Sequence, residues 1–195
     1  MSGSAVGSQY ALSLAAVMGQ CMVVPFENVT MAETRALWLR TTSTQTSGLF
    51  SAWSTDANPV TIEMRISDGI LQVYVFTGVA GYVYDAVSSA PLINDGQWHH
   101  VAVTRSVGTF ELYIDGASVL NMTTPLTDRQ FASLSARINS MAVGCRAFGN
   151  AALAPLYFDG LMDDVRQYSV SLSSADIAAI CKLLLQIFIL YNYGL

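Results

Sequence analysis

The stretch between Asn94 and Gly116 constrains the fold of this chain more than any other stretch. It contains two runs with strand-like composition, Gln97 to Arg105 and Thr109 to Ile114, rich in Val, Thr, Tyr and Phe. Turns that end in glycine precede, separate and follow these runs. Asp-Gly pairs supply the positive φ angles that tight hairpins require. The stretch therefore predicts a β-meander.

Strand-like runs continue on both sides of this meander. From Val60 to Ile66, apolar residues alternate with polar ones, which predicts one buried face and one solvated face. Ile70 to Phe76 is apolar on both faces, as is typical of a central strand. We interpret Tyr10 to Met18 as a strand rather than a leader peptide, because no basic residue precedes it. Further predicted strands are Cys21 to Pro25, Ala36 to Arg40, Leu49 to Trp53, Ala117 to Met122 and Met141 to Cys145.

Little helix is expected. Ser173, followed by Asp176 three residues later, has the N-cap pattern of a helical turn that continues through Ile180. The segment from Thr123 to Ala136 is interpreted as a long connection without regular structure. The sequence thus predicts an all-β protein with one short helical turn near its C-terminus.

Two segments resemble the same protein family. The first is Trp-His-His-Val-Ala-Val-Thr at residues 98–104, with the hairpin that ends in Tyr-Ile-Asp-Gly at Gly116. The second runs from Phe158 to Tyr168 and continues through Leu172-Ser173 to Asp176-Ile177. Both are similar to segments of laminin-G-like domains, which are concanavalin A-like jelly rolls. Their order and spacing fit that family.

The resemblance implies a two-sheet antiparallel jelly-roll β-sandwich over residues 9–181. A flexible N-terminus, residues 1–8, precedes this domain in our division of the chain, and an apolar tail, residues 182–195, follows it. In such domains the rim loops and the concave face of a sheet are the usual ligand surfaces. A glycan or a protein is therefore the expected ligand.

The charge balance restricts the partners. Hydrophobic residues make up 52% of the chain and charged residues only 12%, with a net charge of −5. Nucleic acid is excluded as the expected partner, because it calls for a clustered basic surface. A surface so poor in charge is typical of subunits that bury faces against their neighbours.

Tyr82 and Tyr84 are the candidate ligand-binding residues. They lie in a Gly-rich segment, and aromatic rings of this kind stack on sugar rings with little loss of conformational entropy. The alternative is that both are ordinary strand residues with their hydroxyl groups at the surface, and the sequence favours this alternative.

Asp159 and Asp163 are the candidate metal ligands, and Ca²⁺ is the candidate cofactor. With Asp164 they form the densest acidic group of the chain, and carboxylate oxygens suit calcium. The structural alternative is that Asp159 begins an Asp-Gly bulge while Asp163 or Asp164 pairs with Arg166 or caps a neighbouring backbone. The sequence favours the structural alternative.

His99 and His100 are expected to have structural roles. Adjacent residues on a strand point to opposite faces, so the two imidazoles do not ligate one metal ion. No pair of closely spaced glutamates of the kind used by glucanases of this fold is present, and neither is a nucleophile motif. The sequence therefore predicts a protein that is not an enzyme.

The cysteines and the glycosylation motifs leave alternatives open. Cys21, Cys145 and Cys181 match no zinc pattern, and they allow either one disulfide with a free thiol or three reduced thiols. Two N-glycosylation motifs begin at Asn28 and Asn121.

The tail is the main departure from the family pattern. It has no charge after Lys182 and is too short for a membrane span, which needs about 20 apolar residues. It either folds back on its own sandwich or adds a strand to another copy of the chain. The candidate assembly residues are Ile187, Phe188, Ile189, Leu190 and Tyr191.

Two functions follow from these observations. The first is recognition or adhesion at an extracellular, cell-surface or virion surface, through rim loops and a concave sheet face. The second is construction, in which the chain is a homo-oligomeric subunit of an extracellular filament, a coat or a virion and is joined through the tail.

Overall fold

Two six-stranded antiparallel sheets form the architecture of the chain in a computed structural model. The structure describes residues 11–24, 32–55, 60–76, 83–87, 91–124, 126–146 and 155–182. Residues 1–10 and the tail from residue 183 onward, with the candidate assembly residues Ile187 to Tyr191, lie outside this part of the chain. The predicted jelly-roll sandwich is confirmed.

Sheet I has the strand order β1-β12-β3-β8-β9-β10, and sheet II has the order β2-β11-β4-β5-β6-β7. The strands of sheet I are β1 (Leu12–Leu14), β3 (Glu33–Arg40), β8 (Trp98–Ser106), β9 (Thr109–Ile114), β10 (Ala117–Thr123) and β12 (Gly160–Tyr168). The strands of sheet II are β2 (Met22–Val24), β4 (Ser47–Trp53), β5 (Thr61–Ser67), β6 (Ile70–Phe76), β7 (Val83–Val87) and β11 (Ser140–Val143).

The core lies between the sheets because alternate residues of each strand point inward. Ile62, Met64 and Ile66 of β5 are all buried on this face, as predicted. The predicted solvated face of β5 is wrong, because Thr61 and Glu63 on the opposite face are buried as well. Leu37 and Leu39 of β3 face them from sheet I and are fully buried. Burial of each such side chain contributes about 1.5–3 kcal/mol, so the two inner faces hold the sandwich together.

The predicted meander is confirmed almost residue for residue. Strands β8, β9 and β10 follow one another as antiparallel neighbours. Asp115 and Gly116 turn the chain between β9 and β10 with φ values of 52° and 79°. A side chain with a Cβ atom is disfavoured at such angles, and Asp is among the few residues that tolerate them.

The N-terminal strand is shorter than predicted. Only Leu12–Leu14 pairs with β12, and a 3₁₀ turn follows at Ala16–Met18. Gly19 ends this turn in the left-handed region, with φ 62°. The apolar run therefore continues past the strand into an exposed turn.

Helix α1 (Asp128–Ser135) lies in the segment that we interpreted as irregular. Thr127 and Gln130 form a capping box at its start, in which the Thr127 side chain accepts a hydrogen bond from the Gln130 backbone N–H. Phe131 is fully buried and meets Phe110 edge-on, with 6.1 Å between ring centroids. The Thr-x-x-Gln pattern was the signal in the sequence for this helix.

Helix α2, residues 174–182, covers the outer face of sheet I. Ser173 and Asp176 cap it as predicted, because Ser173 Oγ donates to the Asp176 carboxylate and accepts from the Asp176 backbone N–H. Ile177 packs on Ala36 and Ala102. Of the helices in the described residues, neither is long and apolar enough to cross a membrane.

The structure resolves the open question about the cysteines. Cys21, just before β2, forms a disulfide with Cys145, just after β11, with 5.5 Å between their Cα atoms. Cys181 on α2 is a buried free thiol that packs against Trp38. Burial raises the pKa of the Cys181 thiol to about 11, so the thiolate that reacts with oxidants and alkylating agents is scarce at neutral pH.

We expect thiol titration to distinguish the three cysteines. The folded chain should show no reactive thiol, the denatured chain one, and the denatured and reduced chain three. Reduction of the disulfide should lower the free energy of unfolding by about 2–5 kcal/mol, because it releases a loop of 124 residues in the unfolded state. A Cys181→Ala variant serves as the control and should keep the disulfide. Three thiols in the denatured but unreduced chain would contradict the pairing.

Candidate functional site

Two adjoining cavities at one end of the sandwich form the candidate site, which we call the rim groove. The first has a volume of about 270 Å³ and is lined by residues that include Arg40, Thr42 and Gly96. The second, of about 310 Å³, is lined by residues that include Gln45 and Tyr157. Asp159 lines both cavities and therefore lies at the middle of the groove.

Arg40 reaches the groove because it is the last residue of β3. In the two ladders beside β3, its partners are Leu161 on β12 and Trp98 on β8. Its Nε donates a hydrogen bond of 2.7 Å to the carbonyl of Gly96, whose own N–H donates to the carbonyl of Thr41. The guanidinium is thereby fixed at one edge, while its terminal nitrogens remain available to a ligand.

Asp159 is held through its backbone rather than through its carboxylate. The buried Thr41 side chain donates a hydrogen bond of 2.6 Å to the Asp159 carbonyl. Asp159 is exposed, and none of the described residues donates a hydrogen bond to its carboxylate. The carboxylate is therefore free to accept hydrogen bonds from a ligand.

The segment that carries Asp159 is anchored upstream by Leu156. The Leu156 carbonyl accepts hydrogen bonds from the backbone N–H groups of Gly48 and Arg146, at 3.2 and 2.8 Å. At Gly48 a Cβ atom would lie 2.5 Å from the backbone nitrogen of Arg146, so only glycine permits this approach. Three chain segments thus converge behind the groove.

Tyr157 supplies the aromatic surface of the groove. It is half-buried and pairs with Cys145 in an isolated β-bridge. Its side chain packs on the cluster around the disulfide, with Trp53 and Cys21. The disulfide therefore supports the one described tyrosine that lines the groove.

His99 lies beside the rim and joins two turns. Its Nδ1 is 2.8 Å from Asp115 Oδ2, and its Nε2 is 3.1 Å from Asp95 Oδ1. Carboxylates only accept hydrogen bonds, so both contacts form together only when both ring nitrogens carry protons. The hydrogen bond with Asp115 raises the pKa of His99 against the opposing effect of burial. The backbone N–H of Gln97 and the imidazole of His99 lower the pKa of Asp95.

His100 points to the opposite face and is buried against Trp38, with 5.4 Å between ring centroids. Burial lowers the pKa of His100 to about 4, so its ring is neutral at physiological pH. The predicted division of the two histidines between opposite faces agrees with this geometry, and both have structural surroundings.

The two candidate metal ligands occupy different places. Asp159 lies in the rim groove, whereas Asp163 pairs with Trp38 in the ladder between β12 and β3. Residues four apart in an extended chain are about 13 Å apart, whereas calcium needs its oxygen ligands at about 2.3–2.6 Å. Among the described residues, no group of three His, Cys, Asp or Glu side chains is arranged to hold a metal ion. A calcium ion at the rim would therefore use Asp159 with hydroxyl, carbonyl or water oxygens.

The structural alternative for the acidic cluster agrees with the contacts observed there. Asp163 Oδ1 accepts a hydrogen bond from the Asp164 backbone N–H, and Arg166 Nε donates to Asp164 Oδ1, both at 2.8 Å. The bulge lies at this point of β12, between Asp163 and Arg166, and Asp164 has φ 48°. It is thus four residues further along than the predicted bulge at Asp159.

The candidate ligand-binding tyrosines are not part of the described groove. The backbone of Tyr84 lies on β7, opposite Val75. The side chain of Tyr84 and the whole of Tyr82 lie outside the described residues. Their proposed contact with a sugar stays a prediction.

Sequence reasoning missed Arg40 and Tyr157 as members of the site. The loop after β3 and the segment around Pro155 are far apart in the sequence. They meet at the rim, since Gln45 and Pro155 line one cavity. The sequence does not reveal the register of β3, and this register places Arg40 at the groove.

The two antiparallel sheets define a jelly-roll β-sandwich. The chain belongs to the concanavalin A-like lectin/glucanases superfamily, whose family model matches residues 20–178. A search of curated protein sequences gives no match.

Solved structures show the same fold at low sequence identity. The CBM40 domain of the Ruminococcus gnavus IT-sialidase, bound to α2,3-sialyllactose, has a TM-score of 0.71 and 14% identity, covering 88% of this chain and 95% of that one. Domain 4 of the extracellular GH43 arabinanase AbnA from Geobacillus stearothermophilus, in complex with arabinotriose, has a TM-score of 0.63 and 22% identity, covering 88% and 76%. The mouse laminin α1 LG4-5 domains have a TM-score of 0.57 and 20% identity, covering 84% and 42%.

We expect the two histidines to titrate on opposite sides of the ordinary value of about 6.5. In an NMR titration His99 should have a pKa above this value, and His100 should have a pKa of about 4. The chain contains two histidines, so the variant His99→Gln assigns the remaining signal to His100. Two signals that titrate together near 6.5 would contradict both environments.

The same shifts predict how stability depends on pH. The stabilisation from His99 is complete below about pH 6.5 and is lost as the pH rises through its raised pKa. The difference in unfolding free energy between the wild type and His99→Gln should therefore shrink with rising pH. His100 acts in the opposite direction, because its neutral form is favoured by folding. Its contribution is lost as the pH falls from about 6.5 towards 4.

Proposed function

We propose that the chain is a non-catalytic carbohydrate-recognition domain that holds a sugar in the rim groove. The observation that carries this proposal is the exposed residue Asp159, which lines both cavities of the groove, whereas Arg40 lines one of them and Tyr157 lines the other. This combination offers an acceptor, a donor and an aromatic surface along one groove.

The chemistry of a sugar fits this arrangement. Each hydroxyl group both donates and accepts a hydrogen bond. Asp159 accepts from one hydroxyl group and Arg40 donates to another, and such charge-assisted hydrogen bonds are roughly twice as strong as neutral ones. The apolar face of the sugar ring packs on Tyr157, as aromatic side chains in ligand sites commonly allow.

The comparisons support recognition as the class of function. Two of the structures with this fold are named as complexes with a sugar: the CBM40 of a sialidase with sialyllactose, and domain 4 of an arabinanase with arabinotriose. The three described glutamates offer little for catalysis. Glu63 is buried in an ion pair with Arg146, and Glu33 is buried beside Arg35. Glu111 on β9 accepts a hydrogen bond from Ser118 and does not line the groove. The site therefore suits binding better than bond cleavage.

An exterior setting is part of this proposal. Structural disulfides form and persist in oxidising environments such as the cell surface and secretory compartments. The disulfide between Cys21 and Cys145 fits that setting. Adhesion at such a surface would require only that the glycan ligand be fixed to a cell or matrix.

The predictions about calcium, Tyr82, Tyr84 and the tail lead to different outcomes of the binding experiments. A calcium ion at Asp159 would make binding depend on the metal. A sugar bound by the candidate residues Tyr82 and Tyr84 would depend on these tyrosines instead of on the rim groove. Assembly through residues 187–191 is independent of ligand binding, and truncation after Lys182 with measurement of the molar mass tests it separately.

We expect a glycan array to identify a ligand, and calorimetry to locate its site. Asp159→Asn and Arg40→Ala should each weaken binding at least tenfold, because each removes a charge-assisted hydrogen bond worth about 1.5–3 kcal/mol. Tyr157→Ala should weaken it by a similar factor through lost stacking. Measurements with calcium and with a chelator test the metal.

The control is Glu111→Gln, which also replaces a carboxylate by an amide. Glu111 lies on β9, where its side chain accepts a hydrogen bond from Ser118 and does not line the groove. This variant should leave affinity unchanged. Unchanged affinity in Asp159→Asn and Tyr157→Ala would exclude the rim groove. If Tyr84→Ala alone abolished binding, the site would include Tyr84 instead of the rim groove.

A further inference from the structure

Strand β10 is an open edge that is protected neither by short length nor by charge nor by proline. It pairs with β9 and has no second neighbour among the described strands. Edge strands are normally blunted by short length, charge or proline, because their free backbone groups pair with other chains. The other three edges follow this rule: β1 and β2 have three residues each, and β7 contains Asp85. Strand β10 has seven residues and no charged residue, and the only such device in its described residues is a bulge between Ser118 and Leu120. The bulge precedes Asn121, so the second half of the edge remains regular.

Asn121 and Thr123 present an N-glycosylation motif on this edge. Both side chains are exposed, whereas Met122 between them packs against the core. Positions two apart on a strand point to the same face, so the amide and the hydroxyl group are presented together. The Asn121 amide makes no hydrogen bond to the described residues.

The surroundings of Asn121 leave room for a large group. The rim groove lies at the end of sheet I where β10 begins, close to Gly96 and Trp98. Asn121 is four residues further along β10, about 13 Å away in an extended strand. The attachment point of a glycan at this position therefore lies outside the rim groove. The disulfide indicates the oxidising compartment in which such glycans are attached.

We propose that Asn121 carries an N-linked glycan and that this glycan shields the β10 edge. The donor is an oligosaccharide linked to a polyprenyl pyrophosphate. The bond between Asn121 Nδ2 and the anomeric carbon forms, and the bond between that carbon and the phosphate oxygen breaks. The lipid pyrophosphate leaves, and one amide proton is released. The hydrated glycan then occupies the space in which another strand would pair.

Occupancy is tested with the full chain, secreted from cultured animal cells behind a cleavable leader. The background carries Asn28→Gln, so that any N-glycan belongs to Asn121. Peptide mass spectrometry before and after peptide N-glycosidase treatment should show that Asn121 is modified in this background. The variant Thr123→Ser keeps the motif and should be modified as well. Thr123→Ala should lose the glycan. An unmodified Asn121 in folded, disulfide-bonded, secreted protein would overturn the proposal.

Shielding is tested by the molar mass in light scattering over a range of concentrations. The glycosylated chain should be the least associated form, and Thr123→Ala should self-associate more strongly. Thr123→Lys also lacks the glycan but places a charge on the edge, and it should return to the lower mass. Equal masses for the glycosylated chain and Thr123→Ala would overturn the shielding role. Thermal unfolding of each variant verifies that the fold is intact.

Discussion

The register of strand β3 is the constraint on which the rest of the structure depends. This strand lies inside sheet I, between β8 and β12. Its pairs with β8 run without interruption from Glu33 opposite Arg105 to Arg40 opposite Trp98. A slip of one residue would turn Leu37 and Leu39 out of the core and would expose them. The same slip would withdraw Arg40 from the groove, so the core and the candidate site depend on one alignment.

Strand β12 accommodates this register through its bulge. The ladder with β3 is interrupted between Asp163 and Arg166, where Asp164 takes a left-handed conformation. A bulge adds a residue to one strand and bends it. On the rim side of the bulge, the ladder aligns Leu161 with Arg40, and this brings Asp159 to the groove. The acidic cluster thus has a structural function at the bulge, and only its first member reaches the site.

Several charged side chains are buried, which the composition alone does not indicate. Glu63 and Arg146 form an ion pair of 2.9 Å on the outer side of sheet II, and both are nearly inaccessible to solvent. Arg105 is also buried, with its guanidinium carbon 3.2 Å from the centroid of the Phe131 ring. Loss of one member of a buried pair costs about 3–5 kcal/mol, because the remaining charge is left without compensation. Several of the few charges in this chain therefore specify its interior, and its surface is poorer in charge than the composition alone suggests.

The parts of the structure that the sequence predicts are those encoded locally. The Asp115-Gly116 pair specifies a tight turn, and the alternation from Val60 to Ile66 specifies a strand. The meander and strand β5 were therefore predictable from the sequence. The same local logic would have found α1 from Thr127 and Gln130. The groove was not predictable in this way, because Arg40, Gly96 and Asp159 are distant in sequence and meet only through the ladders of sheet I. For Tyr82 and for residues 187–191, the structure provides no comparison.

If the rim groove holds a sugar as proposed, its electrostatics favour an uncharged sugar over an acidic one. His99 compensates the charges of Asp95 and Asp115 through direct hydrogen bonds. Within the groove itself, the charges of Arg40 and Asp159 oppose each other. An anionic ligand would gain a contact with Arg40 but would meet the carboxylate of Asp159, and like charges at about 4 Å are unfavourable even near a surface. A neutral sugar uses both groups at once, because its hydroxyl groups donate to one and accept from the other.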